Sequence, residues 1–355
     1  MKFLLLLPLF FVASLRGMDE TTAKDGASLR GITISCQGWG RIWGQDQFAR
    51  ELPRLVALGA NAVATHPYAA IRADGTVAFR EWPADAPPDY IARPVREARE
   101  LGIQSMIKPH LAYWGSPFSW RGAIAFEEES QRRRFFDTYR RWIVAVAAAT
   151  SDADIFVVGT ELDQFGRYEA EWRDIIAAVR SVTKARLTYA ANWDGYERIP
   201  FWDALDLVGI QAYFPLSEEE DPDRAALAQG WTKVFGRLEK FHQSTGKPIF
   251  FTELGYNRSL RAAAQPWHHV QQSGHAAAGL QERCLRIGLE WTAGREAALW
   301  RRRYPWFRGV FLWKWFVGPA GGENFYLNEA RLRTIIQSVW LGSGPRGGPS
   351  ERGGE

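Results

Sequence analysis

Two glutamates end apolar, strand-like runs. Glu161 lies at the end of IFVVGTEL (155–162), and Glu253 lies in PIFFTELGY (248–256). Packing gives little reason for a carboxylate there, because removing its charge from water is costly unless a partner compensates. A structural ion pair with arginine is a sufficient account of either glutamate alone. Equivalent places on two similar strands favour chemistry for the pair. If both runs are parallel strands of one barrel, the carboxylates meet at its C-terminal rim, where such barrels hold their active sites. Two carboxyl groups across one cleft are the minimal equipment for cleaving a glycosidic bond. Glu253 is the candidate nucleophile and must be ionised, with the Tyr213 hydroxyl as a candidate donor; plain packing is the competing reading for Tyr213. Glu161 is the candidate acid/base and must first carry a proton. Burial and a neighbouring carboxylate should raise its pKa.

The elements that would position this pair follow from the pattern of apolar residues. Short apolar runs stand at 31–36, 61–68, 102–110, 154–161, 186–193, 206–213, 248–253 and 309–315. The centres IFVV and IFF read as strands buried on both faces. Helical patterns separate most of them, clearest at Glu129 to Thr150, Glu169 to Val182, Ala225 to Ser244 and Ala276 to Trp300. The 46–58 segment carries Phe48, Leu52, Leu55 and Val56 at helical spacing, with Pro53 against it. Eight strand–helix units predict an α/β fold, a single-domain (β/α)₈ TIM barrel over 29–342. The alternative, an open doubly wound sheet, lacks its GxGxxG turn after the first strand.

Polar and aromatic residues gather where these runs end. The first leads into Gln37, Trp39 and Trp43, the second into His66 and Tyr68, and the third into Lys108, His110, Tyr113 and Trp114. The fifth ends in Asn192, Trp193 and Asp194, the sixth in Gln211 and Tyr213, and the eighth in Trp313 and Trp315. A barrel would set them around one pocket. Trp313 and Trp315 share strand parity and should face the same side, one of them as a platform under a sugar. His66, Lys108, His110 and Asn192 are candidates to bind sugar hydroxyls, and Trp39, Trp43 and Trp114 to line outer subsites or to be core. No GxSxG elbow, HExxH or CxxC occurs, and the His and Asp at strand ends make a poor metal set, so neither a metal nor a cofactor is expected.

Composition narrows the setting. Of 355 residues, 46% are hydrophobic and 17 are Trp, a surplus that suits either a sugar-stacking groove or an aromatic core. The formal charge of +4 is mild, and the RRR clusters at 132–134 and 301–303 fall in helix-like stretches, which argues against nucleic acid as a partner. Residues 1–17, MKFLLLLPLFFVASLRG, have the form of a secretory signal, with an apolar core too short to span a bilayer. A secreted or periplasmic protein with no stable membrane insertion after cleavage is expected. A flexible lead-in (18–28) and a disordered Gly- and Pro-rich tail (343–355) would flank the barrel. Cys36 and Cys284 are read as free thiols at least as readily as a disulfide.

The motifs resemble those of the clan of retaining glycosidases that place acid/base and nucleophile glutamates after barrel strands four and seven. Within it the chain most resembles glycoside hydrolase family 113, whose characterised members are β-1,4-mannanases. The resemblance is carried by GITIS with the downstream WG (31–40), THPY (65–68), KPH (108–110), VGTEL (158–162), ANWD (191–194), QAYFP (211–215), FTELGY (251–256) and FLWKW (311–315), and it spans roughly 29–342. It implies Glu161 as acid/base, Glu253 as nucleophile, a covalent glycosyl-enzyme intermediate, and a polysaccharide or oligosaccharide as partner. Many clan members carry Asn just before the acid/base; Thr160 stands there here, which leaves His66, Lys108 and Asn192 to read the 2-hydroxyl. A β-glucan hydrolase or transglycosylase on the same scaffold, and a non-catalytic carbohydrate-binding barrel, are the competing expectations.

Overall fold

The computed structural model describes residues 28–83, 85–293, 302–319 and 324–342. The signal reading at 1–17, all of the lead-in but residue 28, and the tail at 343–355 lie outside the described residues.

The chain opens with strand β1 (Leu29–Ser35) and helix α1 (Asp46–Ala57), then β2 (Ala62–Thr65), β3 (Tyr68–Ile71), β4 (Val77–Ala78) and α2 (Asp89–Glu100). Next come β5 (Gln104–Ile107), β6 (His110–Ala112), α3 (Glu129–Ala149), β7 (Ile155–Thr160), α4 (Glu169–Arg180) and β8 (Arg186–Asn192). The last part holds β9 (Val208–Gln211), α5 (Arg224–Thr245), β10 (Ile249–Leu254), α6 (His275–Thr292), β11 (Phe307–Phe316) and α7 (Ala330–Leu341). Strands β1, β2, β5, β7, β8, β9, β10 and β11 close a parallel barrel in that order, with β11 returning to β1. The expected (β/α)₈ architecture is therefore present, except that the β8–β9 connection carries two short 3₁₀ turns in place of a helix.

Strand parity builds two cores. Leu29, Ala62, Ala64, Met106, Ile155, Val157, Ala190, Leu207, Phe250 and Phe311 fill the barrel interior. Alternate residues such as Ile32, Phe156, Leu187, Ile210 and Phe251 face the helices in the larger outer core. Truncating a filled interior position such as Phe250, which meets Phe311 edge-to-face, should cost ~3–5 kcal/mol. Pro53 and Pro94 sit inside α1 and α2 without ending them, since the amphipathic face carries the packing: Phe48, Leu52 and Leu55 in α1 are wholly buried.

The runs expected to be single strands at 61–68 and 102–110 each break in two. Pro67 and Pro109 have no N–H for a barrel ladder. Beyond them the chain continues as β3 and β6, which pair in parallel and, with β4, form a three-stranded sheet above the rim. This sheet carries Tyr68 opposite His110.

Candidate active site

Two carboxylates reach the same end of the barrel by local irregularities in their strands. Phe250 faces the interior, so regular alternation would turn Glu253 outward. The pairing of β10 shifts register between Phe251 and Glu253 on the β9 side and between Phe251 and Leu254 on the β11 side. An inserted residue re-aims the side chains that follow it, and Glu253 meets Lys108 and Tyr213 while Thr252 meets Gln211. Glu161 lies one residue past β7, with φ of 55°. This left-handed backbone is uncommon for a residue with a Cβ and persists only where the surroundings enforce it. Its N–H donates to the Ala190 carbonyl at 3.0 Å and so fixes the turn.

The two glutamates occupy different environments. Glu253 is buried; Lys108 Nζ donates to Oε1, and the Tyr213 hydroxyl donates to Oε2 at 2.6 Å. Lys108 also reaches Gln211 Oε1 at 3.4 Å, and Thr252 Oγ1 donates to the same oxygen at 3.2 Å. Burial lowers the Lys108 pKa, against the opposing pull of Glu253, and raises the Tyr213 hydroxyl well above its ordinary range, helped by Glu253. Both oxygens of Glu253 thus have a donor. Glu161 instead receives both Nε and Nη2 of Arg121 on Oε2, at 2.9 and 2.7 Å. Burial pushes the Glu161 carboxyl up, but Arg121 and the Gln211 amide outweigh it, and its pKa lies below the ordinary value. The raised pKa expected for the acid/base candidate is thus absent: the second carboxylate is matched by Lys108, and a cation that sequence reasoning did not include sits on Glu161. Gln211 Nε2 exerts its pull without a partner of full hydrogen-bond geometry.

Aromatic rings and histidines complete the pocket. Trp313 lies with its ring centroid 4.8 Å from Lys108 Nζ and 5.4 Å from the His66 ring. His66 and His110 stack at 4.9 Å, both buried, and burial together with the nearby Lys108 and Arg121 holds both well below the ordinary histidine range. Neither ring nitrogen of His66 has a partner, nor has His110 Nε2. Trp315 departs from the expected parity. The β1–β11 pairing runs from Ile32↔Leu312 to Ile34↔Trp315, so β11 gains one residue between Leu312 and Trp315. Trp315 consequently turns to helix α1 and donates Nε1 to Glu51 Oε2 at 3.1 Å. It packs outside the pocket. The Trp313–Lys314 peptide within this stretch is cis.

Residues 33–321 match the pattern of Glycoside Hydrolase Family 113. The chain belongs to this family. No curated protein sequence matches it significantly. Among solved structures it is similar to the family 113 β-mannanase AaManA of Alicyclobacillus acidocaldarius in complex with ManMIm, at 23% identity and a TM-score of 0.72, covering 89% of this chain and 98% of that one. A family 113 β-1,4-mannanase solved in a complex gives 20% identity, the same TM-score of 0.72, and coverage of 89% and 100%. A β-glucuronidase of Ruminococcus gnavus shares the barrel at 12% identity and a TM-score of 0.57, over 88% of this chain and 50% of that one. At these identities the structural likeness speaks for the fold.

In this glycoside hydrolase the other sequence-level candidates separate into groups. Trp39, Tyr68 and Trp114 form a cluster at the rim above the first three barrel strands, with Trp39 edge-on to both neighbours. Trp39 and Trp114 are about half exposed, at 46% and 50%. Across the rim Trp193 stacks on Trp267 at 5.3 Å. Trp43, considered for an outer subsite, is wholly buried core against His66. Asn192 gives Nδ2 to both oxygens of Asp163, at 3.0 and 3.1 Å, and Thr160 donates Oγ1 to the Pro109 carbonyl at 3.1 Å. Thr160 thus braces the β5 end. With Lys108 also committed, His66 is the one proposed reader of the 2-hydroxyl whose polar atoms are uncommitted.

Arg121 and Asp163 were not singled out from sequence. Arg121 sits on a 3₁₀ turn (Arg121–Ala123) in a loop without periodicity, and no motif marks it. Asp163 stands two residues after Glu161, so strand-end reasoning extended slightly further would have included it. Burial raises its pKa to about 6, against the lowering effect of Asn192. Among the described residues, no group of three His, Cys, Asp or Glu could hold a metal ion, and no helix is long and apolar enough to cross a membrane. Cys36 and Cys284 are free and buried, and burial raises them to about 11 and about 12.

Proposed function

We propose that this family 113 chain is an exported retaining β-glycoside hydrolase that cleaves β-1,4-mannan or manno-oligosaccharides by double displacement. The observation that carries the reading is the pair of glutamates at one barrel rim in unlike settings. Glu253, held in place by Lys108 and Tyr213, is equipped to attack the anomeric carbon. Glu161, on its left-handed backbone, is the group that passes a proton to the departing oxygen and then takes one from the incoming water. Trp313 lies beside both the nucleophile's lysine and the paired histidines, where a sugar ring can stack at the cleavage point. The unpartnered nitrogens of His66, His110 and Gln211 supply polar capacity suited to a hydroxyl-rich ligand, because buried polar groups ordinarily find partners. Export rests on the apolar segment after Lys2.

The mannan preference draws on the mannanases the chain resembles. Mannose differs from glucose in its axial 2-hydroxyl, and a site built to bond a hydroxyl rejects an analogue lacking it by a factor of ~10⁴ or more. The deciding measurement is kcat/KM on mannohexaose against cellohexaose, with products resolved by size. A ratio near one, or one favouring the glucan, overturns the mannan assignment and leaves the two-glutamate mechanism in place.

A further inference from the structure

Glu161 and Arg121 raise a problem of charge. Their side chains are 14% and 16% exposed, and Arg121 places two N–H groups on one carboxylate oxygen. A general acid must carry a proton, and protonating Glu161 removes the counter-ion of Arg121. A guanidinium cannot relieve this by losing its own proton. The other carboxylates in the pocket are committed: Glu253 to Lys108 and Tyr213, Asp163 to Asn192. Lys314 adds a further positive charge felt by His66, His110 and His269. With a neutral substrate, the acid form of Glu161 leaves Arg121 without a directly bonded anion in a largely buried place.

We propose that the substrate brings the missing anion: the sugar on the leaving-group side carries a carboxylate, a uronate, which takes over Arg121 and frees Glu161 to act as an acid. The proposal rests on the assignment of Glu161 and Glu253 above and deepens it. The location fits, because the acid hands its proton to the departing oxygen, so whatever touches its carboxylate also lies beside the departing sugar. Arg121 belongs to a surface loop outside the barrel frame, preceded by the exposed Trp114 and Trp120. The Trp120 ring packs onto Gly122, where a Cβ would come within 2.1 Å of it, so only glycine permits this closeness. Trp120 stays 42% exposed, an aromatic surface next to a cation. Arg121 Nη1 is not engaged by Glu161, and the planar fork suits a carboxylate in two-point contact. On binding, Arg121 shifts to the uronate and Glu161 takes a proton from solvent. That proton goes to the glycosidic oxygen as its bond to C1 breaks and a Glu253 oxygen bonds C1. In the second step water attacks C1, the Glu253–C1 bond breaks, and Glu161 takes the water's proton.

The experiment compares kcat/KM across pH for a β-1,4-manno-oligosaccharide with a neutral leaving-side sugar and for its counterpart oxidised to the uronate at that sugar. Wild type, Arg121→Met and Arg121→Lys are measured. Wild type should favour the uronate by about tenfold or more. Arg121→Met should abolish that preference and move the alkaline limb for the neutral substrate to higher pH, since nothing then holds Glu161 charged. Arg121→Lys should keep the sign of the preference. Equal wild-type rates on the two substrates overturn the proposal even if Arg121→Met is poorly folded, because the wild-type comparison stands alone; so do equal losses on both in an Arg121→Met protein with the wild-type unfolding midpoint. Nitrophenyl β-mannobioside separates the two levels: if wild type does not release nitrophenol in a Glu253-dependent way, the underlying mechanism fails, and this proposal with it.

Discussion

The Lys108–Glu253 pair can be broken from either side, and the two breaks should not add. Lys108 is wholly buried and the Glu253 side chain is 4% exposed. Lys108→Met keeps the apolar stem and removes the ammonium. Glu253 then retains only the Tyr213 hydroxyl, and Gln211 Oε1 retains only Thr252. Removing one partner of a buried ion pair costs ~3–5 kcal/mol. Because Tyr213 still meets part of the charge, the lower end is expected, with a fall in thermal midpoint on the order of 5–10 °C. Burial without the lysine favours the neutral carboxyl. The penalty applies to the ionised form and vanishes once the carboxyl takes a proton. The deficit of Lys108→Met relative to wild type should therefore be larger at pH 8 than at pH 5, and turnover should fall more at pH 5 than at pH 8 because a protonated carboxyl cannot attack. The assay is denaturant unfolding of wild type, Lys108→Met, Glu253→Gln and the double variant at both pH values. The double variant buries neither charge and should recover ~2–4 kcal/mol relative to the sum of the singles. Additive losses would refute the reasoning, as would a Lys108→Met protein within about 1 kcal/mol of wild type at pH 8 that keeps wild-type turnover at pH 5.

Three further outcomes are expected. Glu161→Ala should lower kcat/KM on manno-oligosaccharides by roughly 10²–10⁴ while sparing substrates whose leaving group needs no proton, and equal loss on both kinds would remove its acid role. Trp315→Phe should cost about 1 kcal/mol through its lost bond to Glu51 and leave kcat/KM on the same oligosaccharides unchanged; a clear kinetic defect would contradict its position outside the pocket. Asp163 has its carboxyl pushed up to about 6 by burial, so its charge destabilises the fold increasingly as pH rises from the ordinary carboxylate range through 6. Asp163→Asn should therefore be more stable relative to wild type at pH 8 than at pH 5, as followed by urea unfolding, and the reverse order would show that Asn192 repays the charge in full.

What the sequence makes legible here is parity, and what it hides is where parity fails. The apolar runs locate all eight barrel strands, because each strand must fill both the interior and the face under the helices. Glu161 and Glu253 stand out for the same reason, as charges where those runs end. Their orientation, however, depends on register shifts in β7 and β10 that no residue type announces. Trp315 shows the consequence: two residues from Trp313 in sequence, it faces helix α1 because β11 gains one residue against β1. The breaks at Pro67 and Pro109 were written in the chain, since a residue without an N–H cannot extend a central ladder, yet the small sheet they release is visible only once β3 and β6 are seen to pair. Arg121 is the hardest case. It comes from a loop with neither period nor motif, and it reverses the direction of the pKa that the two-carboxylate argument assigned to Glu161. A strand-end carboxylate is legible as a charge out of place, whereas the loop cation that bonds it and lowers its pKa is not.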